Sequence, residues 1–157
     1  MNFTSTLTSW YSANKRNLPW RTSKIPYNVW LSEVILQQTQ IKQGQPYYEA
    51  FLANYPSVQA LAKASETEIL NLWQGLGYYS RARNLHFTAK YISETLNGEF
   101  PKNYKSLLTL KGVGDYTASA IASICYEEAV AVVDGNVYRV LARHFGIDTP
   151  INSTEGI

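Results

Sequence analysis

The chain has 157 residues, 45% apolar and 17% charged, a composition that suits one soluble globular domain with a sizeable core and gives no reason to expect two. Its formal net charge of +2 is too small to argue for a polyanionic partner by itself, and its single cysteine, Cys125, excludes an internal disulfide and any multi-cysteine metal site within the chain. No apolar run approaches the roughly 20 residues of a membrane span, and no basic patch followed by an apolar core opens the chain, so an intracellular location is expected, cytoplasmic or nucleoid in a bacterium.

In chain order, the pattern predicts a first helix over 3–15, then a loop through Asn17-Leu18-Pro19-Trp20-Arg21 that ends at Pro26. Pro26 suits a helix start, and Tyr27 to Gln43 carries apolar residues at helical spacing, with Glu33 on the same side as Trp30, Val34 and Gln37. Pro46 to Asn54 reads as a third helix, Ser57 to Ala64 as a fourth with a serine cap, and Ser65-Glu66-Thr67-Glu68 as the capping box of a short fifth ending near Trp73. Gly75-Leu76-Gly77 breaks the chain before a long helix from Tyr79 to Leu96, closed by Asn97-Gly98. Asn103 to Leu110 and Asp115 to Tyr126 form two arms around Gly112-Val113-Gly114, and a brief extended link over Val130 to Val133 leads to a last helix from Gly135 to Phe145. No alternation long enough to build a sheet is present, so the fold class is all-α.

The two arms with their glycine turn make a helix-hairpin-helix. Glycines allow the turn to expose backbone N–H groups, and the helix beginning at Asp115 adds the positive end of its dipole, so the hairpin can hold a phosphate without side-chain charge. Basic residues gather near the glycine motifs: Arg81, Arg83, His86 and Lys90 in one segment, Lys102, Lys105 and Lys111 before the turn, and Arg139, Arg143 and His144 after Asp134. Two carboxylates suggest chemistry. Glu33, on a largely apolar helix face, would be held protonated by desolvation, whereas Asp134, at a helix N-terminus, would stay ionised. On residues alone, Asp134 reads more readily as a plain helix cap, and Glu33 as the edge of an apolar stripe with its carboxylate reaching water.

The motifs L-P-W-R at 18–21, S-E-V-I-L-Q-Q-T-Q at 32–40, G-L-G-Y-Y-S-R-A-R-N-L at 75–85 and the D-G-N-V that starts at Asp134, together with the hairpin, resemble the adenine DNA glycosylases of the MutY type within the helix-hairpin-helix DNA glycosylase superfamily. The resemblance runs from about Trp10 to about Phe145. It implies a six-helix barrel over 27–130, with the hairpin at about 105–126 and with 1–26 and 131–157 as incomplete parts of a second helical subdomain. It implies that adenine mispaired with 8-oxoguanine or guanine in double-stranded DNA is flipped out and released by hydrolysis. In that reaction Glu33 is the acid, Asp134 stabilises the sugar cation, and Tyr116 and Asn136 line the reacting sugar. Gln38 and Tyr78 would wedge into the stack beside the partner base, and Trp20 and Arg21 would surround the adenine. Gln37, Thr39, Arg81, Lys111, Gly112, Val113 and Gly114 would contact DNA.

The resemblance also implies that position 116 separates sister activities. Glycosylases that cut the backbone carry an amine there, lysine in the endonuclease III branch, and this chain has Tyr116, so a monofunctional enzyme is expected. Tyr138 stands where related sequences often carry lysine, which removes one expected phosphate contact. Family members hold a [4Fe-4S] cluster on four cysteines that would lie beyond residue 157, so this chain is expected to hold no cofactor or metal and to be a truncated, monomeric form. The alternative reading is a module that binds duplex DNA through the hairpin without efficient turnover.

Overall fold

The computed structural model describes residues 2–150 and 153; the rest of the segment 131–157 expected to form part of a second subdomain, namely 151–152 and 154–157, lies outside the described residues. Among the described residues the chain is helical with no strand: α1 (Phe3–Asn14), a 3-10 turn (Pro19–Arg21), α2 (Pro26–Leu36), α3 (Ile41–Asn54), α4 (Val58–Lys63), α5 (Glu66–Leu72), α6 (Ser80–Thr95), α7 (Tyr104–Leu107), α8 (Asp115–Tyr126) and α9 (Gly135–Phe145). No described helix is long and apolar enough to cross a membrane.

The local signals set most boundaries. Ser57 caps α4 by accepting from the Ala60 N–H, and Ser65 and Glu68 close a reciprocal capping box on α5. Asn97 and Gly98 stop α6 in left-handed geometry, with φ of 52° and 81°.

The core is organised around α2, which packs against α3, α6 and α8. Tyr27, Val29, Trp30, Leu31, Ser32, Val34 and Ile35 are all buried, so this helix is enclosed on nearly every side rather than along one stripe. Leu31 and Ile35 are fully buried, each contributing about 1.5–3 kcal/mol relative to exposure. Trp30 meets Phe100 edge-on, and Phe51 meets Trp73 the same way. Glu33 is the one residue from Val29 to Ile35 that is not buried, so the packing itself fixes where its carboxylate emerges.

Two expectations change. The helix predicted from Tyr27 to Gln43 ends at Leu36, and Gln38 adopts φ 56° in the turn before α3, which therefore begins at Ile41 and contains Pro46. The reason is long-range. The Arg81 guanidinium donates to the carbonyl oxygens of Val34 (3.1 Å), Ile35 (3.0 Å) and Gln37 (2.6 Å), removing them from the intrahelical ladder that would continue α2. The first arm of the hairpin is also shorter than predicted, a single turn at Tyr104–Leu107 followed by non-helical turns.

Helices α1 and α9 stand apart from this core. Neither contributes a buried residue, and they meet through Phe3, whose ring lies 4.0 Å from that of His144 and 6.3 Å from that of Phe145.

Candidate active site

A cavity of about 530 Å³ opens where the C-terminal part of α2, the 3-10 turn, the start of α8 and the start of α9 converge. Its wall carries Glu33, Tyr116, Asp134 and Asn136, together with Trp20, Arg21, Gln37, Gln38 and Thr39. Three segments, α2, the start of α8 and the start of α9, thus bring every proposed catalytic residue to one concavity. A second groove of about 650 Å³ shares Gln37, Gln38 and Tyr116 with it and adds Tyr78, Arg81 and the hairpin residues Gly114 to Thr117.

The two carboxylates sit in opposite electrostatic environments. Burial pushes the Glu33 carboxyl above its ordinary value, only partly offset by the positive charge of Arg21, and no described residue donates a hydrogen bond to it. Asp134 is held below its ordinary value chiefly by the Val137 N–H, with the side chain and N–H of Asn136 and the charge of Arg139 acting the same way. Its Oδ1 accepts from the N–H groups of Asn136 and Val137, both at 2.9 Å, while Asn136 Nδ2 donates to Oδ2 at 3.0 Å. Asp134 is therefore a helix cap whose capping bonds also keep it ionised, and the plain-cap reading and the chemical one describe the same geometry. Arg139 donates to the Asn136 side-chain oxygen, fixing which face of that amide turns to Asp134. Tyr116 feels both acids. Its phenol is raised first by burial and then by Glu33 and Asp134.

Trp20 is buried against Tyr48, ring centroids 5.2 Å apart and edge-on, so it holds the cavity floor, whereas Arg21 is exposed at the rim. Gln37 is set by a long contact from its Nε2 to Thr117 Oγ1 at 3.5 Å. Gln38 and Tyr78 both take left-handed backbone geometry, φ 56° and 46°, and Tyr78 is 68% exposed. Two non-glycine residues in that region, side by side at one groove, mark stored local strain of about 1–3 kcal/mol each.

At the hairpin, Gly112 has φ 79°, and a Cβ there would approach Asn84 Cβ at 2.9 Å. Gly114 is the N-cap of α8 in extended geometry with open space before it and no side-chain cap, which leaves the first N–H groups of α8 free of described partners. The turn does not present all its donors. Val113 is buried and its N–H bonds to the Leu110 carbonyl oxygen at 3.1 Å, so it faces inward. The Lys111 ammonium lies over the Phe87 ring at 4.6 Å and is exposed.

The basic cluster read from 81–90 disperses in three dimensions. Arg81 spends its donors on carbonyl oxygens, Arg83 pairs with Glu66 at 3.2 Å, and His86 is buried with Nε2 2.8 Å from the Ala64 oxygen. Thr117 and Val133 line the cavities without having been singled out; Val133 precedes Asp134 and Thr117 follows Tyr116. A [4Fe-4S] cluster takes four thiolates, and Cys125 alone, half-buried with its thiol pushed up to about 11 by burial, does not fit one.

The family model for the HhH-GPD superfamily of base excision DNA repair proteins matches residues 31–155, a span that holds both carboxylates and the hairpin. The chain is 43% identical over 147 residues to an adenine DNA glycosylase of Buchnera aphidicola subsp. Baizongia pistaciae, covering 93% of this chain and 42% of that relative. It is 46% identical over 161 residues to the Homo sapiens adenine DNA glycosylase, covering 97% of this chain and 30% of the relative, so it spans less than half the length of either. Among solved structures, a thermostable thymine-DNA glycosylase superposes with a TM-score of 0.86 at 30% identity, covering 92% of this chain and 67% of the other. A non-covalent endonuclease III–DNA complex, at 20% identity, TM-score 0.75 and coverage of 91% and 67%, shares the fold. With its helical fold, its hairpin and its paired acids all inside the matched span, the chain belongs to the HhH-GPD superfamily of base excision DNA repair proteins.

Proposed function

We propose that this chain is a monofunctional adenine DNA glycosylase that removes adenine opposite 8-oxoguanine, or opposite guanine, from double-stranded DNA as a monomer. The observation that carries the reading is the pairing of Glu33 and Asp134 in one cavity with opposite shifts, the arrangement that separates an acid from an anion at one pH. A base stacked in a duplex cannot reach this concavity, so the adenine is extruded into it. Protonated Glu33 donates to the base and the bond to the sugar breaks. Ionised Asp134 faces the cationic sugar; water then adds to the sugar carbon and passes its proton to the Glu33 carboxylate, which restores the acid. Tyr116 and Asn136 confine the sugar, Arg21 and Trp20 bound the base, and the open α8 N-terminus holds a phosphate.

Tyr116 supports a reaction without strand scission, since a phenol forms no Schiff base with the sugar. The second reading, DNA binding without turnover, is favoured by the α8 N-terminus alone, which can hold phosphate whatever happens in the cavity. Single-turnover assays on duplexes bearing adenine opposite 8-oxoguanine or an oxidised pyrimidine separate the readings. Adenine release without scission is expected. Binding without release establishes the second reading, and scission at an oxidised pyrimidine rejects both.

A further inference from the structure

Arg81 lies between the two strained turns of the groove. Its Nη1 donates to the carbonyl oxygens of Val34 and Ile35 in the last turn of α2 and of Gln37 on the turn that carries Gln38. Its Nη2 reaches the Leu76 oxygen at 3.2 Å and the Gly77 oxygen at 3.5 Å, on the turn that carries Tyr78. The plane of the guanidinium is held over Trp73, 5.1 Å from the ring centroid, and the same Trp73 donates its indole N–H to the Gly77 oxygen at 2.9 Å. Tyr78 lies over the cation from the solvent side at 5.7 Å. A planar fork is the side chain that can collect carbonyl groups from two directions at once; an ammonium on a flexible stem cannot hold both sets.

We propose that Arg81 is a positioning residue that locks the turn of Gln38 to the turn of Tyr78, so that the two side chains enter the base stack as one rigid wedge. This rests on the reading of the chain as an enzyme that extrudes a base. A wedge of two loosely tethered prongs would be displaced by the stack it must open, and the left-handed geometry at both prongs persists only where the surroundings over-determine it. Without the fork, both turns lose their common anchor while α2 and α6 keep their apolar packing.

Arg81→Met and Arg81→Lys test this in two ways. In the free protein, hydrogen exchange at the Thr39 and Leu76 amides, which bond to the Leu36 and Trp73 oxygens, should accelerate together by at least about tenfold in both variants, with the Ile92 amide in α6 unmoved. In single-turnover assays, adenine release opposite 8-oxoguanine should fall by about tenfold or more, and the loss should shrink severalfold opposite an abasic site, where no partner base resists the wedge. Unchanged exchange at Thr39 and Leu76, acceleration that extends equally to Ile92, or equal losses on the two duplexes would overturn the proposal. Absence of release by the unaltered chain on both duplexes would instead reject the glycosylase reading, and the exchange measurement would still decide whether Arg81 is the clamp.

Discussion

Glu33 and Asp134 have the same functional group and are pushed in opposite directions, which fixes the sign of the pH dependence. In the proposed reaction base release needs Glu33 protonated, so the rate is expected to fall as pH rises through its raised pKa; it needs Asp134 ionised, so the rate is expected to fall as pH drops through its lowered one. The plateau lies between the two. The same shift makes Glu33 a liability for folding. Above the ordinary value of 4.5 the folded state keeps a proton that the unfolded state releases, so stability declines as pH rises through the folded pKa. Glu33→Gln is therefore expected to raise Tm at neutral pH, with the gain disappearing below pH 4.5, a profile that thermal melts across pH can check. Tyr116 carries a separate prediction: borohydride should trap no covalent DNA adduct with the unaltered chain, whereas Tyr116→Lys should yield one. The opposite environments of the two acids could be read from the sequence, because a carboxyl's ionisation depends on whether its neighbours are apolar or are the N–H groups of a helix start. That Arg81 turns inward could not, because a sequence displays a charge but not the carbonyl groups that surround it.

At the scale of elements, the hairpin distinguishes two glycines that look alike in the sequence. Gly112→Ala places a side chain in left-handed backbone against Asn84 and should lower stability by about 1–3 kcal/mol. Gly114→Ala meets open space in an extended conformation and should leave Tm unchanged, yet weaken duplex binding if its methyl group takes the place of the proposed phosphate. Melting curves and binding titrations on the two variants check the contrast. Caps at Ser57 and Ser65 and the stop at Asn97-Gly98 were legible because each acts within six residues. The break between α2 and α3 was not, because Ile41 resumes the helical spacing of Trp30 and Val34 beyond the polar stretch Gln37 to Gln40, and the interruption depends on a side chain more than forty residues away.

At the scale of the molecule, the helices that carry the chemistry are not equally anchored. α2 and α8 are enclosed by the core, so Glu33 and Tyr116 ride on rigid supports, whereas Asp134 and Asn136 ride on α9, which buries no residue and meets α1 through Phe3. Amides of α1 and α9 are accordingly expected to exchange well before those of α2, α6 and α8 in native-state hydrogen exchange. The all-helical class could be read from periodicity throughout. The weak attachment of the two end helices cannot be read from periodicity, since α9 has as clear an apolar face as any helix in the chain, with Val137, Val140 and Leu141 along it, and what that face packs against is a matter of tertiary structure. The proposed reaction needs the two acids to act together across this uneven scaffold. Its most direct test is single-turnover release of adenine from a duplex with 8-oxoguanine opposite, comparing the unaltered chain with Glu33→Gln. The prediction is release by the first, a loss of at least about a hundredfold in the second, and unchanged duplex affinity in both; equal rates of release would contradict it.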